Sequence, residues 1–357
     1  MDRIGDYDVL RPLGEGGMGM VYAAKERLSG REVALKTLRP ELAASEEGRR
    51  LFRSEMTILA HLDHPNVVRC LACSEVDGQL VMAMELLEGP SLRAVLQERG
   101  RVPWMTAVQW VSQIAAGLHA AHSQEPAIIH RDLKPENVLI TGDGETAKVA
   151  DFGIAKVLEA LHQTTTHSVG TLSYMSPEQI DAAPLDPRAD LYALGVVFYE
   201  LLAGEPPFQS ASPRELLNLH CTAEPPPLPD EVRDGLPKGV ERLVFSLLGK
   251  RPGDRPEHAG EVVQQLEPFS TSTSAALVRT ETPTPATKPA TAMRPAEPSE
   301  PVVSTDTIAL IERAAAPATI GNRVAVSLLL LMTAVGFGLG YASTWFTGGE
   351  AVVEVSR

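Results

Sequence analysis

The chain has 357 residues, a length that fits two or three domains or one large domain with appended segments. Hydrophobic residues make up 44% and charged residues 22% of it, which excludes a wholly disordered chain and a polytopic membrane protein. With 46 acidic and 32 basic side chains the formal net charge is −14, so repulsion of phosphate backbones argues against nucleic acid as a partner. A single nucleotide needs only a few donors and a metal ion, and its binding is not excluded.

The apolar pattern divides the chain into a strand-rich part and a larger helix-rich part. Residues 7–38 alternate apolar and polar positions around a glycine cluster, which predicts strands joined by tight turns, and residues 67–87 are interpreted as further strands. Residues 46–62 have the apolar spacing of a helix. Helical spacing then prevails from residue 91 onward, over 105–123, 188–203, 213–221, 238–249 and 257–267. This order predicts an α+β fold with two lobes.

The three cysteines are Cys70, Cys73 and Cys221. An odd, low count provides no disulfide framework and is typical of a reducing compartment. Cys70 and Cys73 have the spacing of half a zinc site or of a redox pair, but no second pair follows at ligand spacing. The surrounding run, VVRCLACSEV, favours a plain strand over either site.

The composition changes at about residue 269. The stretch 269–322 is dominated by Thr, Pro, Ala, Ser and Glu. Such a stretch cannot bury enough apolar surface to offset the entropy lost on ordering, so we expect a disordered linker.

An uncharged apolar segment follows the predicted linker. As a helix, residues 324–346 would be roughly 34 Å long, against a hydrocarbon core of about 30 Å. We therefore predict one transmembrane helix over 323–346 and a short extracytoplasmic tail over 347–357. Within the helix, Gly336 and Gly340 have the spacing of a close-packing homodimer contact, which is a weak signal on its own.

Two features of the strand-rich part suggest phosphate chemistry. Gly14, Gly16 and Gly19 lie in one short stretch, where the lack of side chains would let backbone N–H groups approach a phosphate. Lys36 stands in an apolar run, and a buried lysine is costly unless it is paired. Glu55, on the inner side of the first predicted helix, is the candidate partner, and the pair would aim an ammonium group at nucleotide phosphates. The alternative is an ordinary surface lysine.

Two further motifs carry the strongest signal. The run His130-Arg-Asp-Leu-Lys-Pro-Glu-Asn137, followed by Asp151-Phe-Gly153, comes after the glycine loop and the strand lysine. These motifs, in this order, resemble those of the eukaryotic-type protein kinases over about residues 7–268, and several segments are similar to bacterial serine/threonine kinases of this type. The resemblance implies a two-lobed protein-kinase-like fold with a β-rich N-lobe and an α-rich C-lobe.

The resemblance also implies the reaction, which is phosphoryl transfer from ATP with Mg²⁺, or with Mn²⁺ in its place. Asp132 would orient the acceptor hydroxyl group and accept its proton. Lys134 would contact the γ-phosphate. Lys36, held by Glu55, would contact the α- and β-phosphates.

A metal site and a nucleotide pocket are implied in the same way. Asn137 and Asp151 would hold the metal ion, because Mg²⁺ prefers oxygen ligands. Met84 takes the gatekeeper position, Glu85 to Leu87 form the hinge, and three apolar residues sandwich the adenine. The implied pocket residues are Leu13, Gly14, Glu15, Gly16, Gly17, Met18, Gly19, Val21, Ala34, Lys36, Met84, Glu85, Leu87 and Leu139.

The substrate class follows from the resemblance as well. Lys134 stands two residues after Asp132, which is the serine/threonine version of this loop. Residues 170–178 match the end of an activation segment, which shapes a peptide-binding surface in relatives and argues against a small-molecule kinase of related fold. Protein substrates with serine or threonine acceptors are therefore expected.

Regulation and scaffold contacts are implied by neighbouring positions. Arg131 precedes the catalytic aspartate, an arrangement that accompanies control by activation-loop phosphate. We expect autophosphorylation in this loop, the alternative being a polar loop without regulatory phosphate. Glu178 is expected to pair with Arg255, and Asp190 to brace the catalytic loop backbone. The activation-loop residues of interest are Thr164, Thr165, Thr166, Ser168 and Thr171.

One alternative function belongs to a different class, a pseudokinase that acts as a membrane-tethered scaffold. Pseudokinases usually lack the strand lysine, the catalytic aspartate or the DFG aspartate, whereas Lys36, Asp132 and Asp151 are all present. Because ATP and Mg²⁺ are cytoplasmic, we expect a single-pass protein of the cell membrane with a cytoplasmic kinase domain.

Overall fold

The computed structural model describes residues 3–15, 19–152 and 172–270, without the side chains of Pro40, Glu55 and Ile58. The predicted transmembrane helix and tail lie outside the described residues, as does all but the start of the predicted linker. Within the described ranges, no helix is both long and apolar enough to cross a membrane.

The described part of the N-terminal lobe is built on a six-stranded antiparallel sheet, with the strand order β1-β2-β3-β4-β6-β5. Lys36 lies on β4 between Val21 of β3 and Met82 of β6, so the lysine predicted from the sequence is on an inner strand. The strands are β1 Arg3–Ile4, β2 Tyr7–Glu15, β3 Gly19–Glu26, β4 Glu32–Leu38, β5 Cys70–Val76 and β6 Gln79–Glu85.

The helix α2 packs against the sheet near the edge that β5 forms. It spans Glu46–His61, after a short helix α1 at Pro40–Ala43. The Ser45 hydroxyl caps its first turn by accepting from the Gly48 N–H. Its apolar face, which includes the fully buried Phe52, packs into the core between the helix and the sheet.

Helices make up most of the C-terminal lobe. The central one, α6, is buried on nearly all sides, as expected of a helix whose apolar residues surround its whole circumference. The helices are α3 Leu92–Arg99, α4 Trp104–His122, α5 Pro177–Ile180, α6 Arg188–Ala203, α7 Pro213–Thr222, α8 Asp230–Arg233, α9 Lys238–Leu247 and α10 Ala259–Ser270.

Two short strands stand where the lobes meet. The 3₁₀ turn Pro135–Asn137 leads directly into β7 Val138–Ile140, which pairs with β8 Ala147–Val149. The Val68 N–H donates to the Val149 carbonyl, so the start of the last N-lobe hairpin is tied to β8. A continuous apolar core includes residues of both lobes.

These elements confirm the predicted kinase-like fold, with a β-rich N-lobe and a helical C-lobe. One boundary needs correction, because α10 extends to Ser270 and so includes the first two residues assigned to the linker. The reason is packing: the Phe269 side chain contacts the core, and its ring lies against Gly239 of α9. The sequence pattern did not reveal this contact.

Candidate active site

The loop after α4 brings three of the predicted residues together. Lys134 Nζ lies 2.9 Å from Asp132 Oδ2. The Asn137 side-chain amide donates to the Asp132 backbone carbonyl over 2.8 Å and lies 3.3 Å from Oδ2 of the same residue. The Asp132 and Lys134 side chains are each 18% exposed, so the carboxylate is held in place and still accessible to a hydroxyl group.

Asp190 braces this loop from the first turn of α6, as the sequence predicted. Its carboxylate accepts the backbone N–H of His130 over 2.7 Å and that of Arg131 over 2.8 Å. Burial alone would raise the pKa of Asp190, but hydrogen bonds from His122 and from His130 hold it below its ordinary value. Arg131 adopts a φ of 65°, a left-handed conformation that is costly outside glycine and is held here by the charged carboxylate.

His130 connects the catalytic loop to the strand that precedes Asp151. Its Nδ1 accepts the Asp132 N–H over 3.2 Å, and its Nε2 lies 3.0 Å from the Ala150 carbonyl oxygen. These partners require a neutral ring with the proton on Nε2, and burial lowers the pKa of His130 in agreement. The ring also packs against Phe152, with centroids 4.7 Å apart. A scaffold role fits this histidine better than proton transfer.

The strand lysine reaches the second predicted acid. Lys36 Nζ lies 2.9 Å from Asp151 Oδ1, and the charge of Lys36 lowers the pKa of Asp151. Asp151 has a φ of 51°, so a second left-handed residue marks the site. The predicted pairing of Lys36 with Glu55 falls outside the described side chains. The Glu55 backbone lies on α2.

Asn137 and Asp151 fit the chemistry of a divalent cation. The Ala150 N–H donates to the Asn137 carbonyl over 2.8 Å, which places the residue before Asp151 directly beside the 3₁₀ turn. An amide oxygen and a carboxylate that is kept ionised are the donors that Mg²⁺ prefers. In the part of the chain that the structure describes, no cluster of three or more His, Cys, Asp or Glu side chains forms a separate metal site.

The predicted adenine pocket has a partly buried apolar lining. Ala34 and Met84 belong to the core, and Val21, Leu87 and Leu139 pack against it from the edge. Glu85, the predicted first hinge residue, is partly exposed at the end of β6. The structure thus places these side chains in the core or at its edge, and their contact with an adenine ring stays a prediction.

The described ends of the glycine loop have different surroundings. Leu13, Gly14 and Glu15 lie exposed at the end of β2, whereas Gly19 begins β3 in close contact with β4. A Cβ atom on Gly19 would meet the Thr37 carbonyl oxygen at 1.6 Å, and one on Gly14 would meet nothing within 4 Å. Gly19 is thus required by strand packing, independently of any phosphate. Gly16, Gly17 and Met18 lie outside the described residues.

The predicted activation-loop residues Thr164, Thr165, Thr166, Ser168 and Thr171 also lie outside the described residues. The structure continues at residue 172 and confirms the predicted ion pair behind this segment. Glu178 and Arg255 form a bidentate pair with distances of 2.6 and 2.9 Å. The Gln179 side chain donates to the Arg131 carbonyl over 2.8 Å, so α5 is tied to the catalytic loop.

Sequence reasoning missed a polar network centred on Arg93 of α3. The Arg93 guanidinium contacts Glu136 in the catalytic loop over 2.8 Å and Glu200 of α6 over 2.7 Å. It also hydrogen-bonds the Tyr174 hydroxyl, which in turn donates to Glu200. The available signal was Glu200 itself, a charge within the long apolar run that forms α6. The network joins four parts of the lobe: α3, the catalytic loop, the segment that precedes α5, and helix α6.

The family described as the protein kinase domain matches residues 7–266. This chain belongs to the protein kinase family. Its matched region contains every described residue of the candidate site.

Bacterial relatives of the kinase are numerous. It is 38% identical over 262 residues to a probable serine/threonine-protein kinase of Clostridium perfringens. It is 40% identical over 279 residues to the serine/threonine-protein kinase pkn2 of Myxococcus xanthus, and 37% identical over 310 residues to PknH of Mycobacterium tuberculosis. These matches cover 73%, 76% and 82% of this chain but 38%, 33% and 49% of the relatives. The kinase thus spans half or less of the length of each.

A solved structure supports the same fold. The kinase resembles the crystal structure of a double mutant of the Mycobacterium tuberculosis PknI kinase domain, with a TM-score of 0.57 and 29% sequence identity. The match covers 75% of this chain and 97% of the PknI domain.

Proposed function

We propose that this chain is a serine/threonine protein kinase that transfers the γ-phosphate of ATP to protein hydroxyl groups with Mg²⁺. The observation that carries the proposal is the convergence of Asp132, Lys134 and Asn137 in one braced loop. The Lys36–Asp151 pair adjoins that loop through the Ala150–Asn137 hydrogen bond. The curated relatives named above are described as serine/threonine-protein kinases, which supports the same reading.

Each of these residues suits one task in phosphoryl transfer, which depends on positioning and charge neutralisation. Asp132 orients an acceptor hydroxyl and takes its proton, because its carboxylate is fixed by Asn137 and Lys134 yet partly open. Lys134 and Lys36 supply positive charge for the phosphates. Asn137 and Asp151 would hold Mg²⁺, which neutralises phosphate charge when bound.

The scaffold alternative receives no support from these contacts. A catalytically inactive relative would not need an ionised aspartate beside a buried lysine, nor two left-handed non-glycine residues at the site. Burial of the charged Lys36 and the left-handed conformations of Arg131 and Asp151 each cost free energy. Such costs are expected at a catalytic site, where the geometry is selected for chemistry.

Membrane anchoring and autophosphorylation form the remaining part of the proposal. The charge-free length of residues 324–346 supports a single-pass anchor with the kinase domain on the cytoplasmic side, and the pair Gly336 and Gly340 suits a homodimer contact. The hydroxyl residues Thr164, Thr165, Thr166 and Ser168, together with Arg131 directly before the catalytic aspartate, support control by activation-loop phosphate.

The test of activity uses the full chain in mild detergent, dephosphorylated and then incubated with labelled ATP, Mg²⁺ and a basic acceptor protein. We expect labelled serine or threonine in the acceptor and in residues 164–171. Asp132→Asn should lower the rate by at least about a hundredfold, the typical contribution of a positioned base, and Lys36→Met should lower it as well.

The control is Glu231→Gln, which removes an exposed charge far along the chain from the loop and should leave the rate unchanged. Incorporation that survives Asp132→Asn, or label found on tyrosine alone, would contradict the proposed function. Label found in the acceptor protein but not in this chain would contradict autophosphorylation and would leave the proposed kinase activity supported.

A further inference from the structure

Two cysteine side chains lie in contact on the edge strand of the N-lobe sheet. The Sγ atoms of Cys70 and Cys73 are 3.5 Å apart on β5, which is the last strand of the sheet order. In a regular strand, residues three positions apart point to opposite faces. The contact therefore depends on an irregularity in β5.

That irregularity is a β-bulge. Cys70 is opposite Met84 and Cys73 is opposite Met82, with one extra residue on β5 between Cys70 and Ala72. Met82 and Met84 are two residues apart on β6, so their side chains share one face of the sheet, and their cross-strand partners share it too. The bulge thus brings the two thiols together.

The two thiols differ in acidity and in access. The hydrogen bond between the two sulfurs, in which either thiol can be the donor, lowers the pKa of Cys70 and, together with burial, raises the pKa of Cys73. Cys70 is partly buried, and Cys73 is exposed. Because the thiolate is the reacting form of cysteine, the lowered pKa favours Cys70 as the nucleophile of the pair and Cys73 as the thiol that resolves its oxidation product.

We propose that Cys70 and Cys73 are a redox-active pair that closes to an intrachain disulfide with peroxide, and that closure weakens nucleotide binding. The Cys70 thiolate attacks a peroxide oxygen, the O–O bond breaks, and the departing hydroxide takes a proton to leave as water. The resulting sulfenic acid is attacked by Cys73 sulfur, the S–O bond breaks, and a second water leaves. The thiols lose two protons and two electrons in total, and the peroxide is reduced to two waters.

The backbone geometry allows closure but makes the bond labile. Cys70 and Cys73 lie opposite Met84 and Met82, whose Cα atoms are about 6.8 Å apart along a regular strand. Disulfides bridge Cα separations of about 4.4–6.8 Å. The pair therefore lies at the upper limit of that range, and closing the bond strains the bulge. A disulfide that deforms its strand is readily reduced, and disulfides of that kind are regulatory in reducing compartments.

The pair is coupled to the proposed nucleotide pocket through two neighbours. The Cys73 thiol lies 3.9 Å from the Met56 carbonyl oxygen of α2, and Met56 directly follows Glu55. Cys70 is the cross-strand partner of Met84, the residue at the gatekeeper position. A shift of β5 therefore reaches both α2 next to Glu55 and the predicted gatekeeper Met84, which is the reason to expect weaker nucleotide binding.

The experiment uses the full chain in mild detergent, treated with hydrogen peroxide and analysed by intact mass and by peptide mapping after alkylation. We expect a species that lacks two hydrogens, mapped to the peptide with residues 70–73 and reversed by dithiothreitol. A fluorescent ATP analogue should bind severalfold more weakly to the oxidised form and recover on reduction. The mass readout is independent of the proposed function, whereas the nucleotide readout rests on it. Reduced protein that fails to bind the analogue would count against the proposed function and would leave the disulfide to be judged by mass alone.

Variants make the assignment specific. Cys221→Ser removes the third cysteine, on α7, and should change neither readout. Cys73→Ser should stop the reaction at a Cys70 sulfenic acid that dimedone traps. The nucleotide affinity of this variant should neither fall with reagents that form disulfides nor rise with reagents that reduce them. Oxidation of wild-type protein to separate sulfinic acids without loss of two hydrogens would overturn the disulfide. A disulfide that leaves nucleotide affinity unchanged would overturn the coupling to the pocket.

Discussion

Among single residues, the buried pair Glu178–Arg255 is the clearest case in which sequence and structure agree on a contact. The side chains are 8% and 0% exposed, and Arg255 also donates to the backbone carbonyls of Gly249 and Arg188. A guanidinium with this many partners is fully satisfied only while the carboxylate is present. The pair holds the segment before α6 against the base of the C-lobe.

Glu178→Gln should therefore destabilise the protein strongly. Removing one charge of a buried pair leaves the other unpaired, which costs about 3–5 kcal/mol. Chemical unfolding monitored by tryptophan fluorescence measures the change. Glu231→Gln, which breaks the exposed Arg101–Glu231 pair, is the control and should cost less than about 1 kcal/mol. Equal losses in the two variants would refute the structural role assigned to Glu178.

At the scale of elements, two glycines of the same loop have opposite structural demands. Gly19 lies where β3 passes directly over the Thr37 carbonyl, and Gly14 lies in open space. A phosphate-binding interpretation from sequence treats both residues alike, because both would let backbone N–H groups approach a ligand. The structure shows that the strand packing of β3 on β4 requires a glycine at position 19 and places no such demand on position 14.

Gly19→Ala should lower stability by about 1–3 kcal/mol, because its Cβ atom forces β3 away from β4. Gly14→Ala is the matched control, with an expected change within about 0.5 kcal/mol. Thermal unfolding in the absence of nucleotide measures both without any contribution from phosphate binding. A larger loss for Gly14→Ala than for Gly19→Ala would contradict the strand geometry described here.

The limits of sequence reasoning are visible at this same scale. Helix spacing and the HRDLKPEN run identified the elements and the loop, because both depend on local order along the chain. The contact between Cys70 and Cys73 depends on a bulge that reverses the side-chain alternation, and period-two reasoning places them on opposite faces. Arg93 likewise gathers partners from three separate segments outside its own helix, and no local pattern encodes that convergence.

For the whole molecule, the described kinase fold accounts for about three-quarters of the chain, and the proposed anchor lies beyond it. The roles assigned to the nucleotide and metal residues stay predictions, although the structure brings Asp132, Asn137 and Asp151 into one region. The membrane prediction depends on composition alone. The two parts call for separate tests.

Truncation after Asn322 should release the protein from membranes, because it removes the segment able to cross the bilayer. Expression in bacteria, followed by fractionation with a carbonate wash, measures the change. Full-length Lys36→Met is the control, and it should stay in the membrane fraction despite its loss of activity. Full-length protein that washes off with carbonate would show that residues 323–346 do not span the bilayer.

Asp190 links the catalytic loop to the most deeply buried helix of the C-lobe. The amides of His130 and Arg131 are bonded to a carboxylate on α6, whose own residues are almost all inaccessible to solvent. Hydrogen exchange at these two amides thus requires opening of the α6 region and cannot proceed by local fraying of the loop. Heat or denaturant should consequently abolish the catalytic geometry and the cooperative core of the lobe in a single event, without a loosened but folded intermediate.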